Sequence, residues 1–411
     1  MAEAMSTSPQ NVACLQTGYK VDFRTLLKWI AASTIVVYIV FSPFYLSGSL
    51  MVGDIWLAGV MVFAFSFRQS RNSLVRFFRS GYFLLSSSLL VTMLIATLHA
   101  TSASYNMKYI AQFMTILWIL IPLVAVGISQ MNSPLLFLEM CSWIYLLIFA
   151  LGAMLHFGFD VDWILFNAGP DRFHARISNH SLQMMALCLA AASLFKGRRF
   201  SWRYLAMLLG VVGTVILAAS RTGVVMIAFV IGIAGIMSLR RWYSLPLVLG
   251  LGGATSWLVF FSAMQEKVGI AVRTEFFEDE VRMASLYAAW QTLSQDWMNW
   301  LFGVGWGYSG KDANLEIVVH NVLLQVLTEA GILTLVVLCW LLFLPLIWVR
   351  RLKRSHEIER TVVILGCATV WIFWMFNALS CERIYWVGFA VLVGMAYRLR
   401  VIGRAKPKFA Q

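Results

Sequence analysis

Residues 328–349, TEAGILTLVVLCWLLFLPLIWV, followed at once by RRLKR at 350–354, decide the class of this protein. A helix needs roughly 20 mainly apolar residues to cross about 30 Å of hydrocarbon, and this stretch has that length. The basic run behind it marks the end that a spanning helix leaves in the cytoplasm. Composition extends the reading to the whole chain: 60% hydrophobic residues, 12% charged residues and a mean hydropathy of +0.78 exclude a soluble globule.

Twelve such stretches recur, at 26–46, 49–67, 81–99, 109–127, 134–155, 181–195, 204–219, 223–239, 245–261, 328–349, 361–377 and 384–397. The expected fold is all-α: a polytopic transmembrane helical bundle of about 12 spans, forming one membrane domain over 1–411. An even number of spans puts both termini on one side, and the Lys/Arg distribution selects the cytoplasm. The clusters at 20–28, 68–79, 196–203, 240–241, 350–360 and 398–408 hold most of the 32 basic residues and fall on that face. Lys108, Arg172, Arg176, Arg221, Lys267, Arg273, Arg282, Lys311 and Arg383 fall on the other. The formal net charge of +13 is thus an orientation signal in short loops, and nucleic acid is not expected as a partner.

The first 20 residues are polar and mixed, so the first span is expected to act as the insertion signal. Cys141, Cys188, Cys339 and Cys367 lie within spans, Cys14 is cytoplasmic and Cys381 faces outward, which leaves no disulfide framework and no zinc spacing.

Two outer segments are long and carry polar residues that a span cannot use. The smaller, 156–180, contains Asp160, Asp162, Arg172, His174, Arg176 and His180 around a Gly169-Pro170 turn signal. The larger, 262–327, begins with a helical pattern, RTEFFEDEVRMASLYAAWQTLS from Arg273, that suits an amphipathic helix on the membrane surface. LFGVGWGYSG at 301–310 follows as a glycine-rich turn, and His320 opens the next helical pattern.

Three residues on this face carry candidate chemistry, each with a plainer alternative. Arg221, in AASRTGVV, either snorkels to the interface or meets an anion, because a charge between two closely joined helices needs a partner. Arg282 either pairs with Glu278 at i,i+4 spacing or converges on the same anion. Guanidinium groups bind phosphate oxygens bidentately and stay charged, so two of them suit a diphosphate. His320 either orients the helix it starts or takes a hydroxyl proton. Arg176, His174, His180 and Asn321 are candidates to line the cleft. The Asp160-x-Asp162 pair is a weak metal motif, and no metal or cofactor is expected. Asp54, Glu139 and Glu329 lie in or beside spans, where they either pair within the bundle or mark a transport path.

SRTG at 220–223, VRMASLYAAW running to LFGVGWGYSG, and HNVLLQVLTEAGILTLVVL at 320–338 together resemble the O-antigen ligase and O-antigen polymerase superfamily of bacterial envelope glycosyltransferases. The resemblance covers about 120 residues. It implies a metal-independent, inverting enzyme of the GT-C type in the inner membrane, with a periplasmic active site and 262–327 as its large periplasmic loop. The implied donor is a glycan on undecaprenyl diphosphate. In a ligase the acceptor is the lipid A core oligosaccharide, and surrounding membrane lipids are the remaining partners. By position, Arg221 and Arg282 match the family's diphosphate-binding arginines and His320 matches its essential histidine. One dominant outer loop beside the histidine resembles the ligases more than the polymerases. A transporter on the same helices is the alternative from a different class.

Overall fold

The computed structural model describes residues 23–41, 45–47, 50–99, 103–159, 166–169, 172–175, 180–197, 199–217, 221–238, 280–305, 321–350, 356–376 and 383–404. Fifteen α-helices carry the described chain. They are α1 (Phe23–Phe41), α2 (Val52–Ser66), α3 (Arg68–Phe77), α4 (Phe83–Leu98), α5 (Ala103–Thr115), α6 (Ile121–Gln130), α7 (Pro134–Phe159) and α8 (His180–Lys196). There follow α9 (Trp202–Leu217), α10 (Arg221–Ile236), α11 (Glu280–Gln295), α12 (Trp297–Phe302), α13 (Val322–Val349), α14 (Glu357–Phe376) and α15 (Arg383–Arg404). Among the described residues six helical stretches are long and apolar enough to cross a membrane, and five shorter apolar helices accompany them. The protein is a multi-pass helical membrane protein. The expected span at 245–261 lies outside the described residues.

Two departures from the sequence reading have simple causes. The basic segment 68–79, read as a loop, is the helix α3, which buries Ser70, Leu74 and Phe77 at helical spacing while its arginines take other faces. A π-helical turn at Phe78–Tyr82 joins it to α4, and Tyr82 there donates from its hydroxyl to the Leu117 carbonyl (2.8 Å) inside a second π-helical turn, Ile116–Leu120. The segment 156–180 holds a short antiparallel ribbon, β3 (Phe166–Gly169) with β4 (Arg172–Ala175), whose register closes on Gly169 opposite Arg172. A smaller ribbon pairs β1 (Tyr45–Ser47) with β2 (Leu50–Met51).

At the centre is α6, buried on every side from Ile121 to Ile128 and packed between α1 and α15. Lipid offers no hydrophobic gain for helix association, so close packing must supply it, and small residues allow that. A Cβ on Gly127 would run into Ala31 and the Leu27 carbonyl of α1, and one on Gly394 of α15 would lie 2.8 Å from Ile128 Cβ and 2.9 Å from Ala125 Cα. Outward faces carry Leu84, Leu98, Leu147 and Ile236, all strongly exposed, as lipid-facing positions should be.

Hydrogen bonds and ion pairs fix the polarity of the bundle. Lys196, the last residue of α8, donates to the Met237 carbonyl just past α10 (2.7 Å) and pairs with Glu357 at the start of α14 (3.2 Å). Arg398, near the end of α15, grips both oxygens of Glu359 in the first turn of α14 (2.9 Å each) and reaches the Asn132 carbonyl past α6 (3.1 Å). Arg400 donates to the Ser80 carbonyl (2.7 Å) and stacks over Trp348 near the end of α13 (5.2 Å). The ends of α6, α8, α10, α13 and α15 and the start of α14 therefore share one end of the bundle, the basic pole. The helices α8, α10, α13 and α15 run parallel, and they all begin at the opposite pole.

Candidate functional site at the opposite pole

Helix geometry sets what reaches this pole. The helix α13 is interrupted at Gly331 (φ 75°, ψ 175°), a conformation that a side chain would strain. From Ile332 to Val349 it rises about 27 Å, close to the roughly 24–26 Å rises of α8 and α10 at 1.5 Å per residue. The break thus falls near the level at which α8 and α10 begin, and Val322–Ala330 forms a separate segment beyond it.

Breaking a helix in apolar surroundings strands carbonyls, which must find other donors. Here the glycine-rich turn supplies them: Val304 N–H donates to the Thr328 carbonyl (2.9 Å) and Gly305 N–H to the Glu329 carbonyl (3.0 Å). The approach is backbone to backbone. A Cβ on Gly331 would collide with the Leu301 carbonyl, and one on Gly303 (φ 74°) with the Glu329–Ala330 peptide. Two glycines far apart in sequence are therefore both required at one clasp.

The clasp belongs to a cap layer. Asp296 caps α12 by accepting from Met298 N–H (3.0 Å), and Asn299 Nδ2 donates to the Thr292 carbonyl (2.9 Å), locking α12 to α11. The helix α11 buries Ala289 and Leu293 at i,i+4 spacing and exposes Tyr287 and Trp290. The two tryptophans Trp290 and Trp300 meet edge-to-face at 5.6 Å. This aromatic outer surface suits a helix at a membrane–water interface. Both α11 and α12 pack on α13, and α12 also touches α4.

The candidate residues take defined places on this framework. His180 is the first residue of α8 and Arg221 the first of α10; these two helices pack together. Gln183 in the first turn of α8 donates to Thr214 Oγ1 near the end of α9 (2.8 Å), which ties that helix start to the chain leading into Arg221. Arg282 lies in the first turn of α11. Asn321 is the N-cap of α13, its side chain accepting from Leu324 N–H (3.0 Å). His320 immediately precedes that cap and, with Arg176, Asp160 and Asp162, lies outside the described residues, as do the side chains of Arg221, Arg282 and His180. The backbone thus gathers the starts of α8, α10 and α13 on one side of the bundle. Among the described residues no group of three acids, histidines and cysteines is set to hold a metal.

Sequence reading missed two parts of this assembly, the glycine clasp and a buried polar pair beside it. Gln325 and Glu329, one turn apart and both buried beside the clasp, hydrogen-bond through Gln325 Nε2 and Glu329 Oε1 (3.4 Å). The signal was a polar pair four residues apart ahead of a glycine in an apolar run, which also reads as continuous helix. The other span acids have separate settings: Glu139 accepts from the Tyr204 hydroxyl (3.0 Å) and pairs with Arg203 (3.4 Å), while Asp54 lies in the first turn of α2.

No protein-family model matches the chain, and a search of curated proteins finds none similar to it.

Proposed function

We propose that this protein is a GT-C-type glycosyltransferase of about twelve spans, an O-antigen ligase of the bacterial inner membrane. It moves a glycan from undecaprenyl diphosphate to the lipid A core at the periplasmic face. The observation that carries the reading is that His180, Arg221 and Asn321 all sit at starts of parallel helices on the side away from the basic pole. Helix starts present unpaired N–H groups and the positive end of the dipole, which favours a phosphate ligand there. The positive-inside rule then puts the basic pole in the cytoplasm and this site outside it.

The chemistry asks little more. Attack by an acceptor hydroxyl on the anomeric carbon breaks the bond to the diphosphate oxygen, inverts the carbon and leaves negative charge on the diphosphate. Arg221 and Arg282 meet that charge, and preorganised donors of this kind each contribute on the order of 10² to 10³ in rate. His320 takes the hydroxyl proton, a role worth about 10² to 10⁴. Asn321 holds the start of α13 and with it the position of the histidine.

Purified protein, a defined undecaprenyl-diphosphate glycan and lipid A core test the reading directly. Transfer should proceed with chelator present, and His320→Ala should abolish it while the variant still folds. Full activity of that variant would remove His320 from the reaction. Gene deletion separates the acceptors: core without O-antigen identifies a ligase, whereas core bearing single repeat units identifies a polymerase.

A further inference from the structure

At the basic pole, a cavity of about 360 Å³ opens between α1, α3, the end of α6 and the end of α15. Lys28 of α1, Arg76 of α3 and Arg398 of α15 line it, together with Ser73 and the aliphatic side chains of Val401 and Ile402. Only one of these cations is matched by a carboxylate. Arg398 is held by Glu359, whereas among the described residues neither Lys28 nor Arg76 makes a hydrogen bond or an ion pair. Among the described residues the cavity therefore carries two cations without a carboxylate, beside Ser73, whose hydroxyl donates to the Gln69 carbonyl (3.0 Å).

Its apolar rim distinguishes the ligand. Val401 and Ile402 are exposed, and Trp29, in the second turn of α1 beside Lys28 though outside the cavity lining, is 68% exposed. An exposed tryptophan near the start of a spanning helix beside basic residues marks the level of lipid headgroups. A cationic pocket between spans at that level has the chemistry to bind the phosphate of an anionic lipid. A free anion would need the cations but not the apolar rim.

We propose that this cavity is a binding site for the phosphate of an anionic phospholipid, with Lys28 and Arg76 as its charge-bearing ligands and the acyl chains running past Val401 and Ile402. The proposal is independent of the transferase reading and concerns the other end of the molecule. Bound there, the lipid joins α1 and α3 to α15 around the central α6 and supplies the anionic partner that Lys28 and Arg76 do not have among the described residues.

The test is native mass spectrometry of the full-length protein in detergent, titrated with phosphatidylglycerol, phosphatidylcholine or inorganic phosphate. Wild type should retain phosphatidylglycerol over phosphatidylcholine. In Lys28→Gln/Arg76→Gln that retention should weaken roughly tenfold to thirtyfold, the loss of two headgroup contacts. Arg71→Gln, on the same helix but away from the cavity, should leave it unchanged, and Arg76→Lys should keep most of it because the charge remains. Equal retention of phosphatidylglycerol by the double variant, or no preference over phosphatidylcholine in the wild type, would overturn the site. Displacement of bound phosphatidylglycerol by inorganic phosphate alone would overturn the lipid assignment in favour of a free anion.

Discussion

The two poles of this bundle solve the same problem with different groups. At the basic pole, helix ends are tied by charged side chains: Arg398 to Glu359, Lys196 to Glu357 and Arg203 to Glu139. At the opposite pole, the break in α13 is repaired by backbone, through Val304 and Gly305 donating to Thr328 and Glu329. Side-chain pairs fix where helices end but tolerate small shifts. A backbone clasp between two glycines tolerates none, and it sits where the proposed chemistry needs rigid geometry. On the proposed reading, one pole anchors the bundle and the other holds the reaction.

Breaking the clasp should have the largest effect. Gly331→Leu puts a side chain into the Leu301 carbonyl at a positive φ, so a loss of at least about 3 kcal/mol is expected. In detergent this should appear as loss of the monodisperse peak on size exclusion and a lowered melting temperature. A variant as stable as wild type would mean that the two segments do not meet.

Breaking a tie at the basic pole comes next. Glu359→Gln removes the charge that Arg398 grips, and both side chains are only slightly exposed, at 12% and 15%. Losing one partner of so enclosed a pair costs about 3 kcal/mol, less whatever solvent recovers. The melting temperature should fall, and transfer per folded molecule should not. A selective loss of transfer would mean that the two poles are coupled.

The finest comparison sets a cap against a surface pair. Asn321→Ala removes the α13 cap, at a cost of about 1 kcal/mol. Arg203→Gln releases Glu139 at a position where the arginine is 61% exposed, so it should cost no more than about 0.5 kcal/mol. Hydrogen exchange should localise the first effect to the start of α13.

What the sequence disclosed followed from local chemistry. Spans were legible because lipid demands unbroken apolar runs, and the six described helical stretches long and apolar enough to cross a membrane overlap six of the twelve expected spans. The start of α13 was legible to within two residues because a helical pattern opens at His320, whereas the capping role of Asn321 was not read from the sequence. The arginine-rich α3 was misread because its charges resemble a loop, although Ser70, Leu74 and Phe77 keep helical spacing. At the candidate site, Arg221, Arg282 and His320 emerged from motif and topology. The Gly303–Gly331 clasp did not, because each glycine alone is an ordinary turn or helix residue and only their meeting in space gives them a role.

Accessibility of His320 tests the account most directly. In a background lacking the six native cysteines, single variants His320→Cys and Arg71→Cys can be challenged in spheroplasts with a membrane-impermeant maleimide. The account predicts labelling at position 320 without lysis and at position 71 only after it. Labelling at 71 from outside, with 320 reached only from the cytosol, would contradict the placement on which the proposed function rests.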